Sequence, residues 1–165
     1  MEIERFIDAN KRTIEVHVNM GREVSIYQKY PEQGTILDSS VAFLPLTVLQ
    51  DILSFCEECQ RNPKVTVNGT KITERSVALS CGNMQVIACF DLQEFVSIRN
   101  SFPDADGTTF RSQISHLLLA SLEEAVAFGK KCEQGFLAML ERAKAGETHL
   151  FISGESASQN ETQAF

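Results

Sequence analysis

One stretch of this chain reads onto a later stretch at a constant offset, and that internal repeat limits the fold more than any other feature. Gly34-Thr35-Ile36-Leu37-Asp38-Ser39-Ser40-Val41-Ala42-Phe43-Leu44 lies over Gly107-Thr108-Thr109-Phe110-Arg111-Ser112-Gln113-Ile114-Ser115-His116-Leu117 without a gap. The register continues through Leu46 over Leu119, Leu49 over Leu122, Phe55 over Phe128 and Cys59 over Cys132, always 73 positions apart. Ahead of these segments the offset shortens to 63, with Ile14, Val16 and Val18 over Val77, Leu79 and Cys81. The ten-residue difference is assigned to an insertion near Asp91 to Ser101. Leu spacing alone is common to amphipathic helices, but Gly-Thr, Ser and Phe match outside that spacing. Two copies, each with one apolar face, bury those faces against each other, which predicts two units about a pseudo-twofold axis.

The hydrophobic period assigns elements to each copy. Ile14, Val16 and Val18, then Val24 and Ile26, alternate with polar residues on either side of Gly21-Arg22, the pattern of an antiparallel hairpin. Pro31-Glu32-Gln33-Gly34 is a turn, and a third strand is expected over Thr35 to Phe43. Pro45 suits the first turn of a helix, and behind it Leu46, Leu49, Leu53 and Cys56 form an apolar stripe that ends at Arg61-Asn62-Pro63. In the second copy Asn68-Gly69 is a hairpin turn leading to a strand from Lys71 to Cys81, and Gly82-Asn83 turns the chain into Met84–Phe90. Glu94–Arg99 follows, then a loop from Ser101 to Gly107. A long helix is expected to carry Ile114, Leu118, Leu122, Ala125, Cys132, Phe136 and Leu140 on one stripe and to stop at Gly146. The expected organisation is α+β: a first β-meander/helix repeat over 1–62, a second over 63–146, and a flexible tail over 147–165.

The 165 residues are 43% hydrophobic, enough for one core. The formal net charge of −7 excludes a histone-like or basic-tail binder. No apolar run reaches the ~18 residues of a membrane-spanning helix. The N-terminus lacks the basic and apolar regions of a signal peptide. Five cysteines, four of them in apolar stretches, fit a reducing intracellular compartment: cytoplasm, nucleus or an organelle. Cys56 and Cys59 have metal-like spacing but sit mid-helix on the apolar face, so they read as core and no metal or cofactor is expected. His17, His116 and His149 lie near no nucleophile motif, and there is no phosphate-cradling Gly loop, so an enzyme is not expected.

The strands Thr13-Ile14-Glu15-Val16-His17-Val18 and Gly21-Arg22-Glu23-Val24-Ser25-Ile26-Tyr27, with Tyr30 and Val41-Ala42-Phe43-Leu44-Pro45 before the helix, resemble the single-stranded-DNA-binding coactivator family called positive cofactor four. With the second copy included, the chain to about Gly146 is similar to the fused two-repeat relatives, the plant Whirly proteins and the kinetoplastid guide-RNA-binding proteins. The resemblance implies paired curved sheets that form a platform for unpaired strands, with helices pairing the units. It also implies a non-enzymatic role in transcription, replication or RNA processing, and a homo-oligomer through helix faces.

A single-strand platform needs cations for phosphates and aromatic faces for bases. The first hairpin offers Lys11, Arg12, Arg22 and Lys29 among Tyr27, Tyr30 and His17, against only Glu15 and Glu23. Lys71 and Arg75 add a second basic stretch, and Arg99 is placed on an additional strand. Alternation points Tyr27 outward beside Lys29 if Ile26 points inward. Residues 76–165 hold 6 basic and 11 acidic side chains, so the expected platform is one-sided, and a protein-interaction module on the same fold is the competing reading. The tail, ending in Phe165, is a candidate protein-recruiting segment.

Overall fold

The computed structural model describes residues 1–30, 39–63 and 66–147. The first unit is four strands and a helix: β1 (Glu2–Ile7), β2 (Thr13–Asn19), β3 (Glu23–Lys29), β4 (Ser39–Pro45) and α1 (Leu46–Arg61). A short ribbon, β5 (Thr66–Val67) with β6 (Thr70–Lys71), leads into the second unit. That unit is β7 (Arg75–Cys81), β8 (Met84–Phe90), β9 (Phe95–Pro103), β10 (Thr109–Leu118) and α2 (Leu119–Arg142), followed by a kinked turn, Ala143–Glu147. The large strands form one antiparallel sheet in the order β1-β2-β3-β4-β10-β9-β8-β7. The two units therefore meet at β4 and β10, and their strand orders mirror each other outward.

The pairing fixes the symmetry. Gln113 of β10 pairs with Ser40 of β4, and these residues are 73 positions apart, so equivalent residues pair with each other. An antiparallel pair of equivalent residues puts the pseudo-twofold axis through the seam. Helices α1 and α2 begin at Leu46 and Leu119, again 73 apart. Farther from the seam, Ile14 pairs with Gln28 as Val86 pairs with Asn100, a correspondence of 72. Glu4 pairs with Val16 as Val77 pairs with Ala88, so β1 corresponds to β7 at 73.

The repeat near the helices thus agrees with the structure, whereas the offset of 63 is displaced by one strand. The counterpart of β2 is β8 rather than β7. The segment expected as an insertion is β9, the counterpart of β3. Glu2–Ile7 forms a strand that the alternation does not advertise, because Glu2 and Glu4 stand where a core face expects apolar residues. The strand expected over Lys71–Cys81 is broken, with Lys71 in the small ribbon and β7 starting at Arg75. Strand β9 continues to Pro103, taking the first three residues of the expected loop. Of the expected third strand, the part before Ser39 lies outside the described residues, as does the tail beyond Glu147.

The largest correction concerns Ile114 and Leu118, which belong to β10 rather than to a helix. The ladder between β10 and β9 slips between Ile114 and Leu117, and a one-residue bulge turns the strand period of two into a step of three. Ile114, Leu117 and Leu118 then imitate helical spacing. Strand β4 carries the matching irregularity against β3, between its pairings at Val41 and Leu44. At both bulges the backbone enters the left-handed region, at Phe43 (φ 61°) and His116 (φ 55°), residues again 73 apart. Ser25 Oγ accepts from the Phe43 N–H at 3.1 Å, and Ser97 Oγ from the His116 N–H at 3.4 Å. Neither helix has a side-chain cap. Instead the Leu46 and Leu119 N–H groups donate to the carbonyls of Arg22 and Glu94, both at 2.7 Å, so the sheet satisfies a donor that a cap would otherwise take.

The core lies between one face of the sheet and the two helices. Ile14, Val16, Val18, Val24 and Ile26 from the first unit join Val86, Ala88, Phe90, Val96, Ile98 and Ile114 from the second. Helix α1 contributes Leu49, Ile52 and Cys56, and α2 contributes Leu122, Ala125 and Val126. The helices contact each other, and each also reaches the opposite unit, α1 against β7 and α2 against β2. No helix among the described residues is long and apolar enough to cross a membrane.

Candidate nucleic-acid interface

The helices cover one face of the sheet, and the other is turned away from them. Residues paired across neighbouring strands share a face. One row on the uncovered face crosses all eight strands: Arg5, Glu15, Tyr27, Ser40, Gln113, Arg99, Ile87 and Ala78. Ser40 and Gln113 sit at the axis, and Tyr27 and Arg99 are equivalent positions flanking it. Beside Tyr27 on the same face is Lys29, paired with Thr13. Beside Arg99 is Ser101, paired with Arg111. Arg99 and Arg111 are exposed, and Tyr27 and Lys29 are half-buried.

The Tyr27 end of the row is held by a polar network. Arg5 Nε donates to Glu15 Oε2 at 2.7 Å, and His17 Nε2 lies 3.0 Å from Glu15 Oε1. The His17 hydrogen bond, then that of Arg5, holds the Glu15 carboxyl below its ordinary value. The His17 and Tyr27 rings are 4.7 Å apart at 55°, so each braces the other. The face therefore presents a positioned aromatic pair at one side of the axis and exposed guanidinium groups at the other.

Of the residues singled out in the sequence, Tyr27, Lys29 and Arg99 come together on this face. The others do not. Arg12 is buried: its Nε donates to Asp8 Oδ2 at 3.1 Å, its Nη2 donates to the His116 carbonyl at 2.6 Å, and its guanidinium lies 5.7 Å from the centre of the Tyr30 ring. At 2% exposure this guanidinium is out of reach of a phosphate on the open face. Tyr30, beneath Arg12, belongs to the same internal cluster. Lys11 and Arg22 are exposed in the β1–β2 and β2–β3 turns, and Lys71 is on the separate ribbon. Arg75 pairs with the buried Phe90 on the helix-covered face, 5.9 Å over the Phe55 ring.

Two cations of the uncovered face are absent from the sequence reading. Arg5 is recoverable once Glu2–Ile7 is taken as a strand, since its odd positions face away from the core. Arg111 is hidden by the helical appearance of β10. Cys56 and Cys59 are buried on α1, and burial pushes the Cys56 thiol up to about 12. The described residues contain no group of three or more His, Cys, Asp or Glu able to hold a metal.

No family model matches this chain, and no curated protein matches it in sequence. Among solved structures, WHY3 from Arabidopsis thaliana aligns over 86% of this chain and 83% of its own, at 9% identity and a TM-score of 0.31.

Proposed function

We propose that the uncovered face of the sheet binds single-stranded nucleic acid without catalysing a reaction. The observation that carries this reading is the row through the axis, in which Tyr27 and Arg99 flank Ser40 and Gln113 on one continuous open surface. Tyr27, braced by His17, offers a ring for a base. Arg99, Arg111 and Lys29 offer charge for the backbone. Stacking on a ring is tolerant of base identity, so the expected binding is weakly sequence-selective and salt-sensitive. Arg12, Tyr30 and Arg75 have no part in this surface. The local cations on one face also reconcile the reading with a net charge of −7.

A second reading, a protein-interaction surface, draws on the exposed Ile3, Ile7 and Ile87 of the same face. Titration of labelled single-stranded DNA and RNA at about 50 and 200 mM salt separates the two, because phosphate-dominated binding weakens steeply over that range. Binding at the lower salt that falls at the higher one supports the nucleic-acid reading. Absence of binding at the lower salt overturns it.

A further inference from the structure

The pseudo-twofold axis relates the buried Arg12 cluster to a cavity in the second unit. Strand correspondence maps Asp8, Arg12, Tyr30 and His116 onto Cys81, Met84, Phe102 and Phe43. The pairing agrees, for Cys81 pairs with Met84 where Asp8 and Arg12 close the equivalent hairpin. In the first unit this position is filled by a guanidinium over an aromatic ring, tied to a carboxylate and a backbone carbonyl. In the second, Met84 replaces the arginine, and a cavity of about 580 Å³ lies beside it. Its lining includes all four corresponding residues, together with Glu23.

The chemistry of the walls is conserved in kind but rearranged. Phe43 is 46% exposed and stands edge-on to Phe102, with ring centres 6.2 Å apart. Phe110 packs behind both, at 5.6 Å from Phe43 and 5.0 Å from Phe102. Glu23 corresponds to Phe95, which stands edge-on at 5.7 Å to His116, the residue whose carbonyl accepts from Arg12. The carboxylate has thus moved from the Asp8 wall to the Glu23 wall, and the aromatic walls remain. Among the described residues no cation lies within ion-pair distance of Glu23, and no cation lines the cavity. Met84 Sδ accepts from the Asn100 amide at 3.8 Å and carries no charge to offset Glu23.

We propose that this cavity receives an arginine side chain presented by a partner protein, its guanidinium over the Phe43–Phe102 rings and paired with Glu23. A planar cation suits both walls at once, since the ring faces attract it and the carboxylate accepts its hydrogen bonds. The chain's own Arg12, 5.7 Å from the centre of the Tyr30 ring, shows a guanidinium over the ring that corresponds to Phe102. No residue of the row through Tyr27 and Arg99 lines the cavity.

The test is aromatic-side-chain NMR of the full chain titrated with N-acetyl-arginine amide, with N-acetyl-lysine amide and N-acetyl-glycine amide as comparators. Saturable shifts of the Phe43 and Phe102 rings with the arginine probe, weaker with lysine and absent with glycine, are expected. Glu23→Gln, a partly exposed and structurally mild change, is expected to weaken the response about tenfold. The double variant Cys81→Asp/Met84→Arg, which copies the first unit, is expected to abolish it by filling the cavity from within. Absence of saturable shifts at Phe43 and Phe102, an equal response to lysine, or an unchanged affinity in Glu23→Gln overturns the proposal.

Discussion

Gln28 and Asn100, equivalent residues on β3 and β9, reach across the seam in opposite directions. Gln28 Nε2 donates to the Ser115 carbonyl at 2.9 Å, and Asn100 Nδ2 donates to the Ala42 carbonyl at 2.7 Å. Each amide also meets the corresponding serine of its own unit, Ser39 or Ser112. Both amides are fully buried. They act as a reciprocal polar clamp that ties the units together where β4 meets β10. The clamp is not quite symmetric: Asn100 Oδ1 accepts from the Ser112 hydroxyl, while Gln28 Oε1 has no partner among the described residues.

That asymmetry predicts unequal losses. Asn100→Leu removes a satisfied amide and leaves the Ala42 carbonyl and Ser112 hydroxyl without their partner, a destabilisation of about 1–3 kcal/mol. Gln28→Met keeps the length of the side chain and removes an unsatisfied oxygen together with the donor, so its loss is smaller. Urea unfolding of the two variants checks the order. Equal midpoints would contradict the clamp as described.

The Asp8–Arg12 pair gives a sharper case, with side chains only 1% and 3% exposed. Removing one member strands the other in the interior, so Arg12→Met is expected to destabilise by about 3–5 kcal/mol. Asp8→Cys added to it reproduces the Cys81–Met84 pair of the second unit and is expected to recover most of the loss. Thermal unfolding of the single and double variants measures the recovery. A purely additive double variant would mean that the two sites are not interchangeable.

Much of this symmetry is legible in the sequence near the helices, because Leu46 and Leu119 each follow a bulged strand of similar residues. It fades outward, where Glu4 corresponds to Val77 and Arg5 to Ala78, and nothing in composition signals common descent of position. Strand β10 is unreadable for a physical reason: its bulge gives apolar residues the spacing of a helix. Tyr27 follows from alternation alone, whereas the fate of Arg12 depends on Asp8 and His116, the second of which is 104 residues away. Lys29 and Arg12 look alike as charges at the ends of a strand, and only the packing separates an outward cation from an internal one.

Gly21 links the β2–β3 turn to α2. Its φ is +68°, and a Cβ there would stand 2.8 Å from Phe136 Cβ and 3.0 Å from the Cys132 carbonyl oxygen. Gly82, at φ +59°, has open space around the same position. Gly82→Ala should therefore lose about 1 kcal/mol from backbone strain alone, and Gly21→Ala about 3 kcal/mol from strain and overpacking together. Differential scanning calorimetry distinguishes them, and equal losses would remove the helix contact from the explanation.

Glu4 faces α2 with Oε1 enclosed and without a hydrogen-bond partner among the described residues. Burial, with the charge of Glu124 adding to it, holds its carboxyl above the ordinary 4.5, and Lys131 offsets this only in part. The folded chain thus releases this proton at higher pH than the unfolded chain. The ionised carboxylate opposes folding at neutral pH, and the penalty disappears as pH falls below the unfolded value. Glu4→Gln is expected to raise the Tm at neutral pH and to make no difference near about pH 3.5. A gain that persists at the lower pH would assign the effect to packing rather than charge.

The proposed surface makes separate predictions for charge and for stacking. Each phosphate contact contributes about 0.7 to the slope of log affinity against log salt for a single strand, so Arg99→Ala should reduce that slope by about this amount. Arg75→Ala should leave the slope unchanged, because its guanidinium lies over Phe55 on the helix-covered face. Tyr27→Ala removes a ring without removing a charge. It should weaken binding by about 1–3 kcal/mol at every salt concentration while the slope stays constant. Fluorescence anisotropy over a salt series reads both quantities from one experiment. If Arg75→Ala lowers the slope and Arg99→Ala does not, the strand binds elsewhere on the molecule, and the row through Tyr27 and Arg99 is not the site.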